Sequence, residues 1–291
     1  MISLDLPPKL ILPDHYQATR PAIIRPVGDL ASYFPVELDR KTRLAIVADL
    51  VRRGDIDKAA IPFGMFKGAS GPTDSLYSNV QLLLHGEGTN ASKTFTDNSP
   101  SPKTISAFGT TPEVSTTQFK FGTASIRGNG NGYLQCNSQM TLTTTTGDFT
   151  IEMWVRPSGQ AGIGGLIDFR AAGSGTNVYW SVLNSTQIIL GGNAGTRFTL
   201  TVTANAWSHI AASRVSGNLR AFLNGTQVGS TYTTAFNLTG GGSTCVIGTL
   251  SNAINTTGTN KFIGHIDDLR VTNAGRYSAN FTAPTLPFPD Q

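Results

Sequence analysis

The sequence predicts an all-β sandwich for residues 76–291, and three features of the chain carry this prediction. Short runs of β-branched and aromatic residues recur, separated by clusters of Gly, Asn and Ser. In the run that starts at Phe149, successive residues divide between an apolar face and a mixed face, as expected of a strand that buries one face. Asn224-Gly225 stands between two such runs, which is typical of a tight hairpin. Many strands joined by tight turns predict a sandwich or jelly roll.

The predicted strands follow from these runs. In the strand that starts at Phe149, the alternation predicts one packed face and one amphipathic face, the latter formed by Thr150, Glu152 and Trp154. Strands are predicted at 80–84, 149–155, 178–183, 198–202, 210–214, 219–223, 226–230 and 263–271.

The first 75 residues have a different composition. They hold 19 charged residues, against 21 in the remaining 216, and 8 of the 15 prolines. The chain therefore divides into an arm, residues 1–75, and a sandwich, residues 76–291, joined by a flexible linker at about 68–75. The prolines predict an extended course for residues 1–36. One helix is predicted at about 40–53, because Asp39 can cap its start and Gly54 its end.

The arm carries many apolar side chains but is too short to enclose them. We interpret it as an anchoring arm that buries them against another protein; the alternative is that it packs back on its own sandwich. The predicted anchoring residues are Leu4, Leu6, Leu10, Ile11, Leu12, Ile23, Ile24, Phe34, Leu44, Val47 and Val51.

Charge and hydropathy exclude several functions. The net charge is only +4, and no dense Lys/Arg cluster could follow a phosphate backbone, so we expect no nucleic-acid partner. Pro7, Pro8 and Pro13 interrupt the N-terminus, so no Sec signal is expected. No apolar stretch approaches the ~20 residues that span a bilayer, so membrane insertion is not expected either.

The sequence offers little nucleophilic or acid–base chemistry. Cys136 and Cys245 are predicted to be buried thiols, and a single bridge between them stays open if their strands are neighbours. The four histidines lack a nucleophile partner and are predicted to make structural hydrogen bonds. Glycosidases of sandwich folds hold two carboxylates in one cleft. Here Glu152 stands alone on its strand, and the adjacent Asp267 and Asp268 should face opposite sides, so no enzyme is predicted.

Sugar recognition needs an exposed aromatic platform flanked by amides and hydroxyls. The candidate glycan-binding residues are Tyr179, Trp180, Asn193 and Tyr232. Trp154 and Trp207 are predicted to lie in the core, and a core position is also the alternative for Trp180.

Seven ordered motifs then give a resemblance that covers about 210 residues. They are NVQLLLHGEGTN at 79–90, FTDNS at 95–99, QFKFGTAS at 118–125, GDFTIEMWVRP at 147–157, WSHIA at 207–211, IDDLRVT at 266–272 and RYSANFTAP at 276–284. The chain resembles the laminin-G-like, concanavalin A-like jelly rolls of tailed-bacteriophage virion proteins. The resemblance implies a two-sheet sandwich used for glycan or protein recognition and, in some members, a structural calcium.

Calcium binding is a candidate property because the opening and closing strands of related jelly rolls are neighbours. Those strands would bring together oxygen ligands from Glu87, Asp97 and one of Asp267 or Asp268. The alternative is that all four are ordinary surface and turn carboxylates. The chain also has Gly86 and Glu87 where related phage modules commonly carry an aromatic residue and an Asp.

The resemblance and the arm together predict a non-enzymatic structural protein of a tailed-phage virion. The arm docks on capsid or tail proteins, and the sandwich projects outward as a decoration or cement module. We expect a homo-oligomer on the virion surface, assembled in the host cytoplasm. The alternative is a tail-fibre adhesin that binds a bacterial surface glycan, and a glycan hydrolase comes third.

Overall fold

The computed structural model describes residues 73–110, 112–136, 147–170, 179–191, 196–233, 245–251, 254 and 259–291. Thr73–Gln291 forms one compact unit. The predicted anchoring residues, the predicted helix at 40–53 and most of the linker lie outside the described residues, so the arm and its boundary stay predictions. No helix within the described ranges is long and apolar enough to cross a membrane.

The described residues form fifteen strands and a short 3₁₀ turn at Tyr77–Asn79. The strands are β1 Val80–Leu84, β2 Ile105–Gly109, β3 Glu113–Ser115, β4 Ser125–Asn129, β5 Gly132–Cys136, β6 Phe149–Pro157, β7 Gly164–Asp168, β8 Tyr179–Asn184, β9 Gln187–Gly191, β10 Thr196–Thr201, β11 Ser208–Val215, β12 Asn218–Leu223, β13 Thr226–Tyr232, β14 Cys245–Ile247 and β15 Ile263–Thr272.

Two antiparallel sheets confirm the predicted all-β jelly roll. The eight-stranded sheet runs β13-β12-β11-β6-β15-β4-β3, and the seven-stranded sheet runs β10-β9-β8-β7-β14-β5-β2. The eighth strand of the first sheet, β1, pairs with the second half of β15, whereas β4 pairs with its first half. All eight predicted strands are present, and one of them, β1, has the predicted bounds.

The core lies between the two sheets. Alternate residues of β6, among them Phe149, Ile151 and Met153, belong to the same hydrophobic cluster as Trp180 and Val182 of β8, and all five are essentially buried. The alternation in the sequence arises from this packing, because successive strand residues point to opposite faces of a sheet.

The predicted hairpin at Asn224-Gly225 is confirmed. Both residues have positive φ, 50° and 83°, as a type I′ turn requires. Glycine has a second role here, because a Cβ on Gly225 would lie 1.9 Å from the carbonyl oxygen of Phe281. The chain after β15 therefore passes directly against this turn.

That passing chain, residues 273–291, covers much of the outer face of the eight-stranded sheet. Tyr277 and Phe281 stack with ring centroids 3.6 Å apart, and Phe281 lies 5.2 Å from Phe222 of β12. Phe288 lies beneath the Arg270 guanidinium, at 3.8 Å from ring centroid to Cζ. The prediction that the outer face of β6 is amphipathic is therefore wrong, because this segment buries that face.

Beneath this segment lies a buried ionic network centred on Glu152, which is 0% exposed. Its carboxylate accepts hydrogen bonds from Arg270 Nε and Nη2 at 2.9 and 2.8 Å and from the Tyr277 hydroxyl at 2.8 Å. Asp74 pairs with Arg270 and Arg276 at 3.0 and 2.6 Å. Burial raises the pKa of Glu152, but the charge of Arg270 and the contact with His209 outweigh it and hold that pKa well below its usual range.

The two cysteines are direct partners across two neighbouring strands. Cys136 of β5 lies opposite Cys245 of β14, and both are buried free thiols. The prediction of buried thiols is confirmed. A bridge between them was left open if their strands were neighbours, and the two strands are neighbours. The hydrogen bond with Cys136, together with burial, raises the pKa of the Cys245 thiol well above its usual range.

Candidate binding face on the seven-stranded sheet

A single row of residues crosses the outer face of the seven-stranded sheet. Register pairing aligns Ser106, Gln135, Val246, Asp168, Tyr179 and Gly191 across β2, β5, β14, β7, β8 and β9. These side chains point outward, because the next residues Leu134, Ile247 and Trp180 belong to the core. Ser106, Gln135 and Tyr179 remain partly exposed. We call this set the cross-sheet row.

The centre of the cross-sheet row contains an ion pair. Arg170 Nε and Nη2 donate to the Asp168 carboxylate at 2.6–3.0 Å, and the Arg170 Cζ lies 4.0 Å from the Tyr179 ring centroid. Ser251 N also donates to Asp168 at 2.8 Å. A Cβ on Gly191 would lie 2.3 Å from Tyr179 Cζ, so the tyrosine ring can pack this closely against β9 only because Gly191 has no side chain.

An aromatic pair extends this face to the edge strand β2. Phe108 stacks on its cross-strand partner Tyr133 with centroids 4.9 Å apart and an interplanar angle of 11°. Phe108 is 41% exposed, although an apolar ring of this size is usually buried. Lys261 Nζ lies 4.8 Å from the Tyr133 centroid and 3.0 Å from Thr249 Oγ1. Aromatic rings and cations thus occur together at two places on this face.

The predicted glycan-binding residues do not come together. Tyr179 lies on the cross-sheet row, but its neighbour Trp180 points inward and is 0% exposed, so Trp180 as a platform residue is wrong and the core alternative is right. Tyr232 lies in β13 of the other sheet, where Arg197 Cζ is 4.7 Å from its ring. Asn193 lies outside the described residues.

Phe108 and Tyr133 were not among the predicted binding residues. They lie 25 positions apart and meet only because β2 pairs with β5. The available signal was weak: Phe108 alternates with Ile105 and Ala107 in a short run that ends at Gly109.

The four candidate calcium ligands also do not converge, and each binds protein donors. The Asp97 carboxylate accepts four hydrogen bonds, from Leu83 N, Ser99 N, Ser99 Oγ and Lys103 N, at 2.7–3.0 Å. Glu87 binds Thr123 N and Oγ1, Asp267 binds Lys120 N and Phe121 N, and Asp268 binds His85 and Phe288 N. No group of three His, Cys, Asp or Glu side chains suited to a metal occurs in the described part of the chain. Calcium stays a prediction, and this geometry does not favour it.

The adjacent acids of β15 have different environments because the strand is irregular there. Asp268 adopts a positive φ of 49°, and the pairing with β6 shifts between Asp267 and Arg270. Burial raises the pKa of Asp267 to about 7. Burial lowers the pKa of His85, but the hydrogen bond with Asp268 outweighs it and raises that pKa.

The histidines and the other tryptophans give mixed outcomes. The structural hydrogen bond predicted for His85 is confirmed. His209 Nε2 lies 3.3 Å from Glu152 Oε2, but neither His209 ring nitrogen makes a hydrogen bond of good geometry with a described residue. For His265 the prediction is wrong, since neither ring nitrogen has a partner in the described structure; His15 lies outside the described residues. Trp154 is buried, but on the outer face, where Lys120 Nζ lies 4.0 Å from its ring. Trp207 is half-buried rather than in the core.

The two stacked sheets, with β15 inside one of them, define a lectin-type jelly-roll sandwich. A laminin-G-type family model, described as the concanavalin A-like lectin/glucanases superfamily, matches residues 127–279, more than half of the chain. The chain belongs to this superfamily. No curated protein has a matching sequence.

Solved structures agree on the fold. A binding domain of botulinum neurotoxin serotype D/C matches with a TM-score of 0.50 and 14% identity, over 70% of this chain and 50% of that one. A botulinum neurotoxin type C structure matches with a TM-score of 0.50 and 13% identity, over 71% and 50%. This chain therefore spans about half the length of the neurotoxin chains it matches. At such identities the likeness establishes the fold alone.

Proposed function

We propose that this protein is a non-enzymatic recognition module that binds glycan through the outer face of its seven-stranded sheet. The observation that carries the proposal is the asymmetry of the two outer faces. Residues 273–291 cover much of the eight-stranded sheet, whereas the seven-stranded sheet presents Phe108 at 41% exposure and the partly exposed Tyr179.

The chemistry of this face suits a sugar. Aromatic rings stack on the apolar faces of pyranose rings, and flanking amides and hydroxyls bond their hydroxyl groups. The stack of Phe108 on Tyr133 supplies the first element, and Ser106 and Gln135 of the cross-sheet row supply the second. Botulinum neurotoxin type C, which shares the fold, depends for its entry into cells on interaction with two ganglioside molecules. The fold is thus compatible with glycan recognition.

The carboxylates support a binding function over hydrolysis. Glycoside hydrolysis needs two carboxyl groups ~5–10 Å apart that face one cleft and are free to exchange protons. The cross-sheet row carries the Asp168 carboxylate, which Arg170 and Ser251 N already bind. Glu152 is closed off beneath the Tyr277 hydroxyl on the other sheet.

The test of glycan binding compares single variants on a glycan array, followed by calorimetry with the best ligand. We expect Phe108→Ala to lower affinity at least about fivefold, since stacking contributes ~1 kcal/mol or more. Leu286→Ala is the control, because Leu286 is 53% exposed and lies in the segment that covers the other sheet. Equal losses in the two variants, or a wild-type protein that binds no glycan, would refute the proposal.

We further propose that residues 1–75 attach the module to the capsid or tail of a tailed phage, in several copies on the virion surface after assembly in the host cytoplasm. The support is the sequence resemblance and the apolar arm, whose affinity would come from surface burial. In the full chain, Leu44→Asp with Val47→Asp should abolish co-sedimentation with virions. Leu286→Asp should leave it intact, and full co-sedimentation of the arm variant would refute the attachment.

The site of attachment separates decoration from adhesion. An antibody label on the capsid shell would indicate a decoration or cement protein. A label on the tail would favour the alternative, a tail-fibre adhesin that binds a bacterial surface glycan. The glycan-binding test is independent of this outcome.

A further inference from the structure

A second row of polar residues lies on the opposite side of the sandwich, on the outer face of the eight-stranded sheet. Register pairing aligns Glu113 of β3, Arg127 of β4, His265 of β15 and Arg156 of β6. Trp207 is next to Arg156, because the following residue, Ser208, pairs with Val155. We call Arg127, His265, Arg156 and Trp207 the basic row.

The basic row carries an uncompensated cation. Arg127 is paired, since its Nη1 donates to Glu113 Oε1 at 2.8 Å. Arg156 is half-buried, and its guanidinium makes no hydrogen bond or ion pair with any described residue. A guanidinium held in a sheet without a carboxylate partner favours an anion from outside, because its planar fork matches carboxylate and sulfate oxygens.

His265 provides the second observation. Its side chain is 7% exposed, and neither Nδ1 nor Nε2 has a hydrogen-bond partner in the described structure. Buried polar atoms are normally satisfied, and each that is not costs ~1–3 kcal/mol. Burial, together with the charges of Arg156 and Arg127, lowers the pKa of His265 to about 4. The neutral ring therefore has one N–H to donate and one nitrogen to accept.

Trp207 completes the chemistry at the end of the row. Its half-buried ring meets His265 edge-on, with centroids 6.5 Å apart. An indole that is partly exposed beside a cation and an unsatisfied imidazole gives a stacking surface next to hydrogen-bonding groups. This combination occurs on the part of the sheet where Arg156 and Trp207 remain accessible.

We propose that the basic row is a binding site for an acidic saccharide, one that carries a carboxylate or sulfate group. The Arg156 guanidinium binds the acidic group and Trp207 stacks on the sugar ring, beside the unsatisfied His265 ring. The site lies on a different sheet from the cross-sheet row, so it does not depend on the function proposed for that face.

The test is an NMR titration of the full chain at pH 7 with methyl β-glucuronide, methyl β-glucoside and sodium sulfate. We expect methyl β-glucuronide to shift the Trp207 indole and His265 ring signals, and to bind at least about tenfold more tightly than the neutral glucoside. Arg156→Gln should lower this affinity at least about tenfold. Trp207→Ala should lower it as well, as a second variant. Arg220→Gln, the same change in β12 of this sheet, should leave it unchanged.

Several results would overturn the inference. These are the absence of a shift at either reporter, equal binding of the neutral glucoside, and unchanged affinity in Arg156→Gln. Sulfate that competes as strongly as methyl β-glucuronide would show an ion site rather than a saccharide site. If no binding to a neutral glycan depended on Phe108, that result would count only against the function proposed for the seven-stranded sheet.

Discussion

Glu152→Gln is the sharpest test of what holds residues 273–291 on the eight-stranded sheet. The substitution keeps the shape of the side chain but removes its charge. Three donors, Arg270 Nε, Arg270 Nη2 and the Tyr277 hydroxyl, then face a neutral amide whose NH₂ group cannot accept hydrogen bonds. Arg270 keeps one carboxylate partner, Asp74 at 3.0 Å.

The size of the expected stability loss in Glu152→Gln follows from the burial of this side chain. Glu152 is 0% exposed, and breaking a buried pair by changing one partner typically costs ~3–5 kcal/mol, since the other charge stays buried. For a domain of this size each kcal/mol lowers the Tm by ~2–4 °C, so we expect a fall of about 10 °C. The matched control is Glu113→Gln. Its pair with Arg127 is partly exposed, 21% and 44% for the two side chains, and contributes only ~0–1 kcal/mol.

The assay is urea unfolding followed by tryptophan fluorescence, with calorimetry for the Tm. The free energy of unfolding should fall in Glu152→Gln and hardly change in Glu113→Gln, with the same denaturant slope in both. If the two variants lost equal stability, the buried network would not be what secures the segment.

Three further predictions concern single groups. Burial raises the folded-state pKa of Asp267 from 3.8 to about 7. Between these pH values the folded state keeps a proton that the unfolded state releases. The contribution of this carboxyl group to stability therefore falls as the pH rises from about 4 to 7. Asp267→Asn should remove that slope in pH-dependent urea unfolding, and parallel profiles for the two proteins would contradict it. Gly191→Val should displace the Tyr179 ring, lower stability by ~1–3 kcal/mol and weaken glycan binding in calorimetry, whereas unchanged values would show that the close approach is not needed. Cys136 and Cys245 should resist a thiol reagent in the native protein and should both react after unfolding. The reason is that both are buried and that the raised pKa of Cys245 disfavours its thiolate. Rapid labelling of the native protein would argue against this packing.

The strands that were predicted are those with a run of β-forming residues between clusters of Gly, Asn and Ser. Val80–Leu84 and Phe149–Pro157 contain such runs, whereas three-residue strands such as Glu113–Ser115 and Cys245–Ile247 are too short to show one. The burial of Glu152 was not predictable from β6 itself, because the residues that cover it follow more than 120 positions later.

The candidate site was less accessible to sequence reasoning than the fold. Alternation places Tyr179 and Trp180 on opposite faces of β8, but it does not say which face is the core, and an error of one residue exchanges their roles. Phe108 and Tyr133, and the members of the basic row, meet through strand pairings that local sequence does not encode. The different environments of Asp267 and Asp268 depend on a bulge in β15 that no pattern in the sequence indicated.

The position of β15 has a consequence for the order in which the protein is made. It is the last of the described strands, yet it lies inside the eight-stranded sheet between β6 and the strands β4 and β1. Thr272 pairs with Val80, 192 positions earlier. Strand pairing over such a distance in the sequence is slow to form. No other strand can take the central place of β15 before β15 itself has been made. On the ribosome the sandwich therefore stays incomplete until residue 272 has emerged, long after residues 1–75 have left the exit tunnel and become available to a partner.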